Sequence, residues 1–310
     1  MDVTFPVMTD IERLTKLTIP TDRPVDMVLD TDTYNEVDDQ FAILYAMCSP
    51  DRINLLAIYA ALFHNKRSAS PEDGMEKSYQ EILKVLKLMG RESKGFAFRG
   101  CPKPIGKNRE PVQSDAVTDL IERAMKRGDD DPLFVVGIGA CTNIASAMLI
   151  QPEIVKKIVV VWMIGNSTWW HDNYEFNLSQ DPDAAAVLFD SGVPLLQVPA
   201  FGVTNFLSTT IHELNACIRG ANPVCDFLSD NVKAYSDDHF AWSKAIWDIG
   251  AIAPFINTDW TPMKTIPAPI FLGDHFIASN PHRHLINTIH YVDRDAIFKD
   301  MFEKLRNCNL

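Results

Sequence analysis

The stretch VDMVLDTDTYNEVDDQFAILYAMCS, residues 25 to 49, sets two apolar runs on either side of an acidic loop. VDMVLD reads as a buried strand. DDQFAILYAMCS reads as a helix opened by two acids, whose charge suits the free N–H groups of a helix N-terminus. INLLAIYAAL, residues 53 to 62, follows as a second strand. Together they form a βαβ unit, in which a helical crossover joins parallel strands that are covered on both faces.

The same alternation continues outward. SYQEILKVLKLMG (78 to 90) predicts a helix closed by Gly90, and a second helix spans about 115 to 126. The strand PLFVVGIG, the helix TNIASAMLI and a strand within IVKKIVVVWMIG (154 to 165) come next. This order predicts an α/β fold with an open, mostly parallel sheet and helices on both faces. No repeat and no Gly/Ser linker divides the chain, so residues 25–310 read as a single domain. Residues 1–24 read as an arm with a short amphipathic piece between Ile11 and Leu17, closed by Pro20 and Pro24.

A formal charge of −12 argues against binding a phosphate backbone, so a small molecule is the expected partner, with no nucleic acid. No apolar run approaches the roughly 18 residues of a membrane span, and the N-terminus lacks a secretory h-region. A cytoplasmic protein that binds no membrane is the expectation. The six cysteines lack CxxC spacing and read as buried free thiols of a reducing compartment.

Asp30, Asp32, Glu36, Asp38 and Asp39 crowd the end of the first strand. Such crowding needs a cation, shared protons or a helix N-terminus. A hard cation held by carboxylate and carbonyl oxygens is the natural partner, Ca²⁺ before Mg²⁺ if all ligands are protein groups. The bland alternative is a pair of solvated acids capping a helix. Asp30-Thr31-Asp32-Thr33 also matches the DxDxT loop of haloacid-dehalogenase-type phosphatases, where the first Asp is a nucleophile. Those enzymes want paired acids after a later strand, whereas Asp129 to Asp131 precede one.

GACTNIASAM (139–148), EFNLSQDPDAAAVLF (175–189) and WDIGAIA (247–253), in this order after DTDTYNEVDDQFAI, resemble the inosine-uridine-preferring nucleoside hydrolase family. The resemblance implies a Rossmann-like sheet with Ca²⁺ at its carboxyl edge and hydrolysis of a ribonucleoside N-glycosidic bond to ribose and free base. It also implies a homodimer or homotetramer. Carried over by motif, Asp32 is a Ca²⁺ ligand and the general base on the attacking water. Asp39, Asp248 and the backbone carbonyl of Thr142 complete the metal set. Asp38, Glu175 and Asn177 take ribose hydroxyls, and Asn65 lines the same pocket. Asp30, two residues before Asp32 on the strand, is expected instead to point to the opposite face and support from outside the site.

Two departures stand out. The family reads D-x-D-P-G-x-D-D, but TYNEV separates Asp32 from Asp38, a loop two residues longer and without Pro or Gly. Either the backbone bulges and keeps both ends in place, or Glu36 or Asn35 enters the site; the unchanged flanks favour the bulge. Trp247 stands where many members carry a His that protonates the leaving base. A tryptophan stacks on a base but does not donate that proton. Trp169, Trp170 and Trp242 are further stacking candidates, and His171 and His239 candidate acids. The rivals are the Mg²⁺-dependent phosphatase and a nucleoside- or ribose-binding protein without turnover.

Overall fold

A computed structural model describes residues 3–272 and 277–308. The central sheet runs β3-β2-β1-β4-β5-β6, with β1 Val25–Thr31, β2 Ile53–Ala60, β3 Ala97–Arg99, β4 Leu133–Gly137, β5 Ile158–Met163 and β6 Leu195–Val198, all parallel. Leu285–Ile289 extends it in parallel beyond β6, and Met263–Pro267 closes that edge antiparallel. The α/β expectation of an open, mostly parallel sheet covered on both faces is borne out.

β1 is buried along nearly its whole length because it pairs with β2 on one side and β4 on the other. Its side chains alternate between two cores. Met27 and Leu29 join one face with helix α2 (Asp39–Met47) and the C-terminal helix Arg294–Arg306; Val28 joins the other with α4 (Asp115–Met125) and α5 (Thr142–Ile150). α2 is buried all round, since helix Ile249–Ile256 and helix Arg294–Arg306 pack on it outside the sheet.

Some boundaries differ from the sequence expectation. α3 spans Pro71–Leu88, starting earlier than expected because Ser70 accepts from the Asp73 N–H and Pro71 preorganises the first turn. Residues 154 to 165 divide into a 3₁₀ turn, Pro152–Lys156, and β5. The arm contains α1, Asp10–Lys16, whose Arg13 donates to the carbonyls of Gly192 and Met8. Leu17 and Ile19 enter the first core. Arg23 pairs with Asp131 just ahead of β4, so the arm lies along the amino edge of the sheet.

The cysteine expectation is corrected for one pair. Cys48, at the end of α2, is bonded to Cys308, 260 residues away, because helix Arg294–Arg306 returns against α2. Cys101, Cys141, Cys217 and Cys225 are free. Among the described residues no helix is long and apolar enough to cross a membrane.

Candidate active site

Strand order reverses between β1 and β4, so the loops that follow them diverge and leave a crevice at the carboxyl edge. A pocket of about 260 Å³ opens there. Asp32, Asp38, Asp39, Asn65, Glu175, Asn177, Trp247 and Asp248 all line it. Thr142 is the one sequence-predicted site residue not among them; it opens α5, and its hydroxyl donates to Asp181 at 2.7 Å.

Local structure explains how the acids converge. Pleat alternation alone would put Asp30 and Asp32 on one face. The strand ends at Thr31, however, and Asp32 leaves the pleat to line the pocket, while the Asp30 carboxylate accepts from Asn143 Nδ2 at 2.8 Å. Buried there and absent from the pocket wall, Asp30 is not placed as a phosphatase nucleophile. Gly139 packs against Asp32, and a Cβ on it would lie 3.1 Å from both the Asp32 Cβ and its backbone nitrogen. Asp38 and Asp248 stand at the N-caps of α2 and of helix Ile249–Ile256 without making a side-chain capping bond. The bland reading of solvated caps therefore fails: Asp32, Asp38, Asp39 and Asp248 are each at most 3% exposed.

Burial and mutual repulsion push these groups toward protonation. Asp32 and Asp248 are raised well above the ordinary carboxylate range by burial first, then by their acidic neighbours. Asp39 is pushed up to about 8 by burial and the Asp38 charge, against a 2.5 Å hydrogen bond from Thr31. Asp38 reaches only about 6, because the Lys244 ammonium opposes its burial. One oxygen each of Asp32 and Asp248 is buried without a hydrogen-bond partner among the described residues. Buried oxygens of this kind are costly unless something binds them.

Oxygens of Asp38, Asp39 and Asp248 lie within 4.8 Å of one another, a set that suits a hard cation. Asp32 faces the same pocket with its free Oδ2. Glu175 is fixed differently: burial raises it to about 7, while the N–H groups of Gly165, Asn177 and Leu178 donate to its two oxygens. Asn177 Nδ2 donates to the Met163 carbonyl at 3.0 Å.

The longer loop does both things posed as alternatives. Asp32 and Asp38 keep to one pocket, and Asn35 and Glu36 also line it. Asn65 Nδ2 donates to Asn35 Oδ1 at 2.6 Å, tying the loop after β2 to the loop after β1. Phe201 and Trp247 line the pocket with the acids and meet edge-on at 5.1 Å; Trp170, outside the lining, stacks on Phe201 at 5.2 Å. Phe201 was invisible in the sequence, lying in a segment with no motif. Trp242 packs instead on Tyr235 and His239, and Trp169 is 64% exposed. Neither His171 nor His239 lines the pocket. Lys244, buried beside Glu36 and Asp38, was also missed, since a lone lysine in a loop carries no sequence signal.

Comparison with known proteins agrees with this architecture. A pyrimidine-specific ribonucleoside hydrolase, RihA, of Escherichia coli O1:K1 / APEC is 24% identical over 226 residues, 65% of this chain and 69% of that protein. Among solved structures, the purine-preferring ribonucleoside hydrolase from Gardnerella vaginalis superposes with a TM-score of 0.73 at 24% identity, covering 91% of this chain and 98% of that one. The inosine-uridine preferring nucleoside hydrolase from Bacillus anthracis gives 0.66 at 15% identity, covering 91% and 99%. Residues 27–293 match the family described as inosine-uridine preferring nucleoside hydrolase, and with that match across most of its length the chain belongs to this family.

Proposed function

We propose that the protein hydrolyses the N-glycosidic bond of ribonucleosides to ribose and a free base, with Ca²⁺ held by Asp32, Asp39, Asp248 and the backbone carbonyl of Thr142. The observation that carries this reading is the set of buried carboxylates at the switch point, with oxygens on Asp32 and Asp248 that have no hydrogen-bond partner among the described residues. A bound Ca²⁺ neutralises that charge and makes a water molecule a better nucleophile.

The chain's own residues supply the rest. Asp32 takes the proton of the attacking water through its free Oδ2. C–N cleavage builds positive charge on the sugar, and the anionic wall of Asp32, Asp38 and Glu175 stabilises it where it develops. Asp38, Asn65, Glu175 and Asn177 orient the sugar hydroxyls. Glu175 suits that task because three backbone N–H groups fix its carboxylate. Trp247 and Phe201 stack on the leaving base, in place of a histidine acid. One relative is pyrimidine-specific and another purine-preferring, so base preference belongs to the individual pocket wall.

The test is a panel of purine and pyrimidine nucleosides, followed by release of reducing sugar before and after chelation. Ribose release that chelation abolishes and Ca²⁺ restores is the expected result. No release from any nucleoside would sink the hydrolase reading, and release indifferent to chelator would sink its metal.

A further inference from the structure

Glu36, in the lengthened loop, is held at both carboxylate oxygens. Lys244 Nζ donates to Oε2 at 2.5 Å and the Tyr235 hydroxyl donates to Oε1 at 3.0 Å. Lys244 sits in the two-residue strand Lys244–Ala245, is 5% exposed, and gives a second hydrogen bond to the Ala245 carbonyl at 2.8 Å. An ammonium has three donors. The third has Asp38 Oδ1 at 3.9 Å, just beyond hydrogen-bond length. The Tyr235 ring, 5.2 Å from the ammonium, adds a further hold on it.

This arrangement singles out Asp38. Its oxygen lies within 4.8 Å of those of Asp39 and Asp248, so by distance alone it belongs with the cation-binding acids. Among the described residues it is the only one of the three paired with a basic group within 4.0 Å, although the Lys244 charge also acts on Asp248 from farther away. The Lys244 ammonium partly balances the Asp38 charge while Asp38 stays among the acids and lines the pocket. Lys244 itself does not line the pocket, whereas Glu36 and Asp38 do, so it acts on a substrate only through them.

We propose that Lys244, with Glu36 as its fixed counter-ion, is a positioning residue that holds the Asp38 carboxylate for a sugar hydroxyl and thereby sets discrimination between ribonucleosides and the deoxynucleoside lacking that hydroxyl. The inference rests on the reading of Asp38 as a sugar contact. It also gives the longer loop a purpose, because the inserted residues bring Glu36 to the lysine.

The test measures kcat/KM for a cleaved ribonucleoside and for its 2′-deoxy and 3′-deoxy analogues, in the wild type, Lys244→Met and Glu36→Gln, alongside melting temperature. Removing the lysine frees a charge-assisted contact, so the ribo-to-deoxy ratio for one of the two analogues falls about tenfold or more in Lys244→Met, with the poorer substrate's own kcat/KM nearly unchanged. Glu36→Gln moves the ratio the same way by a smaller factor. A merely structural lysine would lower all substrates together. Ratios unchanged in folded Lys244→Met overturn the inference. If that variant does not fold, an unchanged ratio in Glu36→Gln overturns it. A wild type that cleaves no nucleoside removes the underlying site reading instead.

Discussion

The two edges of the sheet hold their acids in opposite circumstances. At the amino edge, Asp26 pairs with Arg127, and Asp131 with both Arg23 and Arg127. At the carboxyl edge, Asp32, Asp39 and Asp248 are buried and have no basic group within 4.0 Å among the described residues. Cavity size does not separate the edges, since the space under the arm, about 470 Å³, exceeds the pocket at the acids, about 260 Å³. Charge balance does. Paired, half-exposed acids contribute modestly to the fold, whereas unpaired buried acids oppose it and persist where a ligand compensates them.

The largest expected effect is at the unbalanced edge. If Asp32 is the general base as proposed, Asp32→Asn lowers kcat roughly 10²- to 10⁴-fold. Because it also removes one repelling charge, the same variant melts higher than the wild type in chelator. Normal activity in that variant would move the base to another acid, and a lower melting temperature would contradict the repulsion at this edge.

A pH series sharpens the contrast next. Asp39 titrates near 8 in the metal-free fold, and in the unfolded chain a carboxylate titrates near about 4. Between those values the folded state holds more protons than the unfolded state, so metal-free stability falls as pH rises through this window. Calorimetry in chelator across the window is expected to record that decline, and Ca²⁺ to oppose it most at the alkaline end. Amino-edge pairs predict no such slope.

Phe201→Ala, which removes the stacking link between Trp170 and Trp247, is expected to cost about 0.5–1.5 kcal/mol in kcat/KM. An effect confined to purine or pyrimidine substrates would identify the base that this wall prefers. The smallest change is expected from Arg23→Gln, whose pair with Asp131 is half exposed on both sides. Its melting curve is expected to move by no more than about 1 kcal/mol in stability, with kinetics untouched. A large kinetic effect there would show that the arm reaches the site.

The chain alone carried most of the architecture, for local reasons. Apolar runs followed by helical spacing located β1, α2, β2, α4, β4 and α5, because strand and helix periods are written into consecutive residues. The short edge strand β3 escaped, since three residues carry no period. The acids of the pocket were legible for a similar reason: Asp32, Asp38 and Asp39 fall together in the chain, immediately after a strand. Trp247 and Asp248 were found through motif order.

What lies between distant segments had to come from the folded chain. Asn65 reaches Asn35 across 30 residues, Phe201 meets Trp247 from another loop, and Cys48 meets Cys308 across 260 residues. Lys244 meets Glu36 across 208 residues, and neither residue points to the other in the sequence. Periodicity and strand-end clustering are properties of neighbours along the chain, so the sequence determined the sheet and its acidic edge. Which acids remain unpaired, and which one acquires a lysine, depends on burial and on charges brought together only by tertiary packing.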